Sequence, residues 1–243
     1  MPNNTEFEKL LPPFIKDALG PGHRLVQTEL LQGDASQRTY FRVTTEETLT
    51  QTQKSYIVMH SNQVDSELNS FIDVHKALTH LEIPVPALFY SDKASGLLLE
   101  EDCGDWTLEQ FSKTISEKEV DSLYKKALDI LVRMQFGDRH NTFTCIAYTR
   151  YFDAEKFMQE LNFMRTHLLE GLAGHRVEAT DLRKITKAFN ALCMELAREP
   201  RVFTHRDFHI KNLMVQQNGK VQVLDFQDAR MGPCQYDLVS LLN

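Results

Sequence analysis

Two apolar runs flank an Asn-Gly pair late in the chain, Leu213-Met214-Val215 before it and Val221-Gln222-Val223-Leu224 after it. Asn-Gly between β-prone runs is the strongest short signal for a hairpin, because both central residues of a type I′ turn take positive φ. With Asn218 and Gly219 as a two-residue turn, Gln217 faces Lys220, and counting outward sets Asn212 opposite Asp225. That register predicts an amide oxygen and a carboxylate on Cβ atoms roughly 4.5 to 5.5 Å apart. The pair suits a hard cation such as Mg2+, which takes oxygen ligands from one or two protein groups and the rest from phosphate and water.

Upstream, Thr204-His205-Arg206-Asp207-Phe208-His209-Ile210-Lys211-Asn212 places Asp207 a short loop before the hairpin. A carboxylate beside a metal-phosphate centre is placed to orient and deprotonate an acceptor hydroxyl. A lone loop Asp ordinarily caps a turn. Both motifs together, at the order and spacing of a phosphotransferase catalytic loop, point to chemistry instead.

At 243 residues the chain can form one large domain or two lobes. Its acidic excess, net charge -7, argues against a nucleic-acid or anionic-membrane partner. No apolar run approaches a membrane span, and Met1-Pro2-Asn3-Asn4-Thr5-Glu6 lacks the regions of a signal peptide, so a cytoplasmic protein is expected. Cys103, Cys145, Cys193 and Cys234 are scattered, without zinc or redox spacing, and read as reduced packing thiols.

Residues 5–19 predict a helix interrupted at Pro12-Pro13. Strands are expected over 25–31, 39–43, 55–59, 87–90 and 96–100, with an amphipathic helix from Asp65 through Leu68, Phe71, Ile72, His75, Leu78 and Leu81. Beyond Asp102 the pattern turns helical, with wide apolar stripes at Val120 to Met134 and at Leu182, Ile185, Phe189, Leu192 and Leu196, and a further helical stretch over 152–169. The expected fold class is α+β: a β-rich nucleotide-binding lobe over 1–102 and a mainly helical lobe over 103–243 that carries the catalytic hairpin.

These motifs resemble the aminoglycoside phosphotransferase and choline kinase-like superfamily, whose two-lobed fold is related to protein kinases, from about Leu30 onward. Gly33-Asp34-Ala35-Ser36, Thr39-Tyr40-Phe41-Arg42, Tyr56-Ile57-Val58-Met59, Leu97-Leu98-Leu99-Glu100 and Leu224-Asp225-Phe226-Gln227-Asp228-Ala229 are similar to one branch, the bacterial anomeric N-acetylmuramate and N-acetylglucosamine kinases of cell-wall recycling. A protein kinase proper fits less well, since Asp-Phe-Gln replaces Asp-Phe-Gly and no Ala-Pro-Glu segment follows.

The resemblance implies an ATP- and Mg2+-dependent kinase of a small-molecule acceptor. It implies that Asp207 is the base and that Asn212 and Asp225 hold the metal. Gly33, Asp34, Ala35, Ser36 and Arg38 would cover the phosphates, and the adenine would lie between the lobes and bond to the backbone near Leu99, Glu100 and Glu101. His205 and Arg206 are read as structural, fixing the loop with Asp237. Asp228 assists the metal or substrate, or caps the next segment; His209 and Glu160 are possible acceptor contacts, in a pocket that includes residues 151–169.

Three departures carry expectations of their own. The strand-three lysine of protein kinases is missing from Tyr56-Ile57-Val58-Met59-His60, leaving Arg38, Arg42 or Lys54 to balance phosphate charge; Glu67, where a partner carboxylate would sit, is read as a helix N-terminal residue. The sequence Glu160-Leu161-Asn162-Phe163 departs from the sugar-kinase branch. Asp237 to Asn243 reads as the start of an apolar helix where the family continues, so the chain is expected to be C-terminally truncated relative to the family, with an unfinished acceptor floor or a partner over that segment. The alternatives to an amino-sugar kinase are a nucleotide-binding regulatory pseudokinase and an aminoglycoside or choline-like kinase.

Overall fold

The computed structural model describes residues 4–31, 38–61, 68–137, 143–174 and 177–243. Its first part is an antiparallel five-stranded sheet of β1 (His23–Leu31), β2 (Arg38–Glu47), β3 (Gln53–Ser61), β4 (Leu88–Asp92) and β5 (Leu97–Glu101), ordered β1-β2-β3-β5-β4. These are the five expected runs with shifted ends. Alternation along β5 separates its side chains between two faces. Leu97 and Leu99 pack with Phe7, Leu11, Phe14 and Ile15 of α1 (Asn4–Leu19), whereas Leu98 joins the core shared with α2 (Asn69–His80).

The break expected at Pro12-Pro13 does not occur: α1 is continuous. Both prolines lie on the exposed face, where the carbonyls they leave unpaired can reach water, while Phe7 stacks on Phe41 at 3.9 Å. Burial of the four apolar side chains, at about 1.5–3 kcal/mol each, outweighs roughly 3 kcal/mol for each interior proline.

The second part holds α3 (Leu108–Ser112), α4 (Glu117–Phe136), α5 (Ala154–Met164), α6 (Ala179–Leu196) and α7 (Gln235–Leu242), with α5 running on as a π-helix over Arg165–Leu172. The α4 stripe enters the core through Leu123, Ala127, Leu131 and Met134. The α6 stripe does not, since Leu182 and Leu192 are exposed and Cys193 is the buried residue of that helix. Helix α6 packs on α5, and contact on that side leaves much of its apolar face uncovered. Helix α2 is fastened to this lobe: Asp73 Oδ2 accepts from Ile146 N at 2.6 Å, and Arg150 donates to Ser70 Oγ at 2.8 Å and to the Gln227 carbonyl at 3.1 Å. Among the described residues, no helix is long and apolar enough to cross a membrane. All four cysteines are free thiols, and Cys103, Cys145 and Cys193 are buried.

Two short sheets position the site. Strand β6 (Arg201–Thr204) pairs with β9 (Arg230–Pro233), setting Thr204 against Arg230, and β7 (Leu213–Val215) pairs with β8 (Val221–Val223), setting Leu213 against Val223. The loops between them, 205–212 and 224–229, are therefore pinned at both ends and meet where Leu224 N donates to the Asn212 carbonyl at 2.9 Å. This corrects the expected register. Gly219 N donates to Gln216 O and Gln216 N to Lys220 O, so the loop is Gln217, Asn218 and Gly219, with Gly219 at φ +73°. A turn closed by a left-handed glycine suits Asn-Gly as well as the two-residue turn does. The added loop residue slips the ladder by one, and Asn212 faces Leu224 instead of Asp225.

Candidate active site

A regular strand would turn Asp225 away from Asn212 after that slip. It does not, because Asp225 takes φ +60°, the left-handed region that Asp and Asn enter most readily after glycine. Asn212, Leu224 and Asp225 consequently line one cleft of about 360 Å³, walled on the other side by residues including Tyr40, Ile57 and Glu100 to Gly104. Asn212 Nδ2 donates to the Asp207 carbonyl at 3.0 Å, which leaves Oδ1 as the acceptor face of the amide. Gln227 Nε2 holds Asp225 Oδ1 at 2.8 Å.

The loop carrying Asp207 hangs on two buried side chains. Asp237, fully buried in the first turn of α7, accepts from His205 N at 2.6 Å and from Arg206 N at 2.9 Å. Burial pushes its pKa up to about 7, against the pull of those two N–H groups. Arg206 is held at φ +88° in the same clamp. His205 Nδ1 accepts from Asp207 N at 3.2 Å, so Nε2 carries the proton and donates to the Leu224 carbonyl at 2.9 Å. Main-chain and ring contacts thus tie the two loops together on both sides of Asp207.

Burial drives the His205 pKa down to about 4 from 6.5. The unfolded chain then takes up a proton that the folded chain refuses, so this contribution to stability is present above pH 6.5 and is lost as the pH falls toward 4. Against His205→Gln, the stability advantage of the wild type should shrink by on the order of 1 kcal/mol per pH unit across that window. Urea denaturation over a pH series measures it. Asp237 contributes the opposite slope, lost as pH rises toward 7, but in both proteins, and cancels from the difference.

Asp207 itself is half-buried, and burial raises its pKa; Arg206 opposes the shift, and the charges of Asp225 and Asp228 add to it. A carboxylate made more basic in this way is suited to accept a proton. Around it, Arg206 reaches toward Glu160 at 3.7 Å and Asp228 at 3.8 Å, and Tyr236 Oη donates to Glu160 at 3.3 Å. His209 Nδ1 is buried without a hydrogen-bond partner among the described residues.

Three cations were candidates to replace the missing lysine, and they have different surroundings. Arg42 is bound by Asp102 at 2.8 Å and Asp105 at 2.7 Å, fastening β2 to the segment after β5. Lys54 lies over the rings of Tyr56 and Phe89, 5.0 and 5.4 Å from their centroids. Arg38 stands 3.7 Å from Asp225. Tyr40 and Arg42 line the cleft, and Arg38 shares their parity on β2.

The expected adenine contacts near Leu99 to Glu101 divide differently. Strand β5 lies inside the sheet, between β3 and β4, so the main-chain groups of Leu99 and Glu100 belong to its ladders. The Leu99 side chain faces α1, away from the cleft. Glu101 is tied by its side chain to Gln222 Nε2 at 3.0 Å, to Gln216 Nε2 at 3.4 Å and to Ala87 N at 3.1 Å. Sequence reasoning passed over this joint between sheet and hairpin, although a polar Gln222 between Val221 and Val223 was its available signal. Gly33, Asp34, Ala35, Ser36 and Glu67 lie outside the described residues.

A β-rich lobe and a helical lobe facing each other across a cleft, with paired motif loops on its floor, define a kinase-like α+β fold. The chain belongs to the phosphotransferase enzyme family, whose model matches residues 27–243. It is 29% identical over 208 residues, 86% of its length, to an N-acetylmuramate/N-acetylglucosamine kinase of Pseudomonas aeruginosa, and 28% identical over 210 residues to the like-named protein of Neisseria meningitidis serogroup B. It spans 57% and 59% of the length of those two relatives, respectively. Among solved structures, the GDP complex of aminoglycoside 2′-phosphotransferase-IIIa superposes with TM-score 0.67 at 13% identity, covering 99% of this chain and 78% of that one. Choline kinase LicA from Streptococcus pneumoniae gives 0.62 at 16% identity, covering 98% and 74%.

Proposed function

We propose that this chain carries the catalytic centre of an ATP- and Mg2+-dependent cytoplasmic kinase that phosphorylates the anomeric hydroxyl of an amino sugar, N-acetylmuramate or N-acetylglucosamine. The observation that carries the reading is the convergence of Asp207, Asn212 and Asp225 on two loops pinned side by side beneath a mainly apolar cleft. The amino-sugar acceptor is supported by the names of the two curated relatives.

The donor set fits a hard cation shared with phosphates. Asn212 Oδ1 and Asp225 supply two protein oxygens, and among the described residues no cluster of three or more His, Cys, Asp or Glu offers a site that closes on a metal unaided. When bound, Mg2+ supplies charge neutralisation at the transferring phosphoryl group. Asp207 accepts the proton of the acceptor hydroxyl as its oxygen attacks, and its raised pKa favours that transfer. Arg38, beside Asp225, supplies the positive charge that strand three, with no lysine in Tyr56-Ile57-Val58-Met59-His60, lacks. Residues 1–102 then act as the nucleotide lobe and 103–243 as the catalytic lobe.

ADP release measured against N-acetylmuramate, N-acetylglucosamine, choline and kanamycin, with and without EDTA, tests the reading. Turnover of an amino sugar that stops on chelation is expected. Asp225→Asn should weaken Mg2+-dependent ATP binding by on the order of tenfold or more while sparing Mg2+-free binding. A regulatory nucleotide-binding protein is the second reading, favoured by the absence of a lysine from Tyr56-Ile57-Val58-Met59-His60; ATP binding without turnover of any of the four acceptors would select it.

A further inference from the structure

The nucleotide-side wall of the cleft contains several polar side chains, and most are already engaged. Arg42 is bound by Asp102 and Asp105, and Glu101 by Gln222, Gln216 and Ala87. Glu100 is the exception. It is 6% exposed, it lines the cleft, and its Oε1 has no hydrogen-bond partner among the described residues. A carboxyl oxygen left desolvated and unpaired lowers stability, so its retention at the cleft wall points to a partner supplied by a ligand. Burial also pushes the Glu100 pKa up to about 8, with Arg38 pulling the other way, so at neutral pH the group is largely an uncharged acid that tolerates an apolar pocket.

The chemistry of that partner follows from the remaining walls. Leu31 and Ile57 from the sheet and Met214 and Leu224 from the hairpin give apolar surface on both sides, suited to a flat ring. If the phosphates of a nucleotide are directed to Asn212 and Asp225, the base presents the edge remote from its ribose to the end of β5. In a purine that edge carries the 6-substituent. We infer that Glu100 reads the 6-position of the donor base, its unpaired carboxyl oxygen accepting a hydrogen bond from the 6-amino group of adenine. The inference rests on the kinase reading above and adds to it a side chain that selects the base, where a main-chain contact would otherwise have to suffice.

Deleting each half of the proposed hydrogen bond tests it. Binding of ATP and of purine riboside 5′-triphosphate, which lacks only the 6-amino group, is titrated by calorimetry into wild type, Glu100→Leu and Glu100→Gln. Wild type should prefer ATP by on the order of tenfold. Glu100→Leu should bring that ratio to within about twofold by weakening ATP alone, and Glu100→Gln, which keeps a carbonyl acceptor, should retain most of it. A wild type without the preference, or a folded Glu100→Leu with the preference intact, overturns the role of Glu100 and leaves the kinase reading standing. Failure of wild type to bind either triphosphate overturns both. Thermal denaturation checks that the Leu variant is folded, and Glu100→Ala, which also lacks the acceptor oxygen, is titrated in its place if it is not.

Discussion

Asp207→Asn should lower turnover by about two to four orders of magnitude while leaving ATP affinity within a few-fold of wild type. The hydrogen bonds that hold Asp207 in place run through its main chain: its N–H donates to His205 Nδ1, and its carbonyl accepts from Asn212 Nδ2 and His209 N. Replacing the side chain therefore removes the proton acceptor without releasing the loop. Asn also keeps the volume of Asp, so no cavity opens beside Asp225. The wild-type rate should fall on the acid side at a pH above the usual carboxylate range, because burial and the neighbouring Asp225 and Asp228 favour the protonated form. Single-turnover kinetics across pH, with ATP titration in parallel, reads both effects. A variant that keeps near-normal turnover would remove Asp207 from the mechanism.

Asp237→Ala should cost about 2–6 kcal/mol of stability, since it leaves two buried main-chain N–H groups without an acceptor at roughly 1–3 kcal/mol each. Against a total of about 5–15 kcal/mol for a typical folded protein, that is a large share. The N–H groups belong to His205 and Arg206, and the clamp is what holds Arg206 at φ +88°. Freed of it, Arg206 should relax toward right-handed backbone and carry Asp207 with it. The kinetic signature is a fall in kcat larger than any rise in the KM for ATP, because the nucleotide walls are built elsewhere. Asp237→Asn, which keeps one acceptor oxygen, should lie between wild type and Ala in melting temperature. Equal stability of all three proteins would mean that the loop is held by other contacts.

The sequence made local features legible and left long-range ones hidden. The five strands, α2 and α4 follow from periodicity, because each element buries one face and alternation or helical spacing records which. The motif residues could be named for the same local reason. The pairing of Arg201–Thr204 with Arg230–Pro233 has no local signature, yet it pins both catalytic loops. The hairpin register failed for a narrower reason: Asn-Gly serves a two-residue turn and also a three-residue loop ending in left-handed glycine, and the two differ by one residue in every pair. Pro12-Pro13 misled because propensity was weighed without the packing of Phe7, Leu11, Phe14 and Ile15 that overrides it. Glu100 was named for its main chain, whereas alternation along β5 gives importance to its side chain.

The left-handed backbone at Asp225 makes that position selective on two separate grounds. A library of all substitutions there, screened only for folded protein, should be enriched in Gly, Asn and Asp, since these residues enter φ +60° at least cost. The same library selected for catalysis should return Asp. Variants admitted by the first screen and rejected by the second carry the architecture of the site without its chemistry, and comparing the two survivor sets separates what the backbone demands from what the reaction demands.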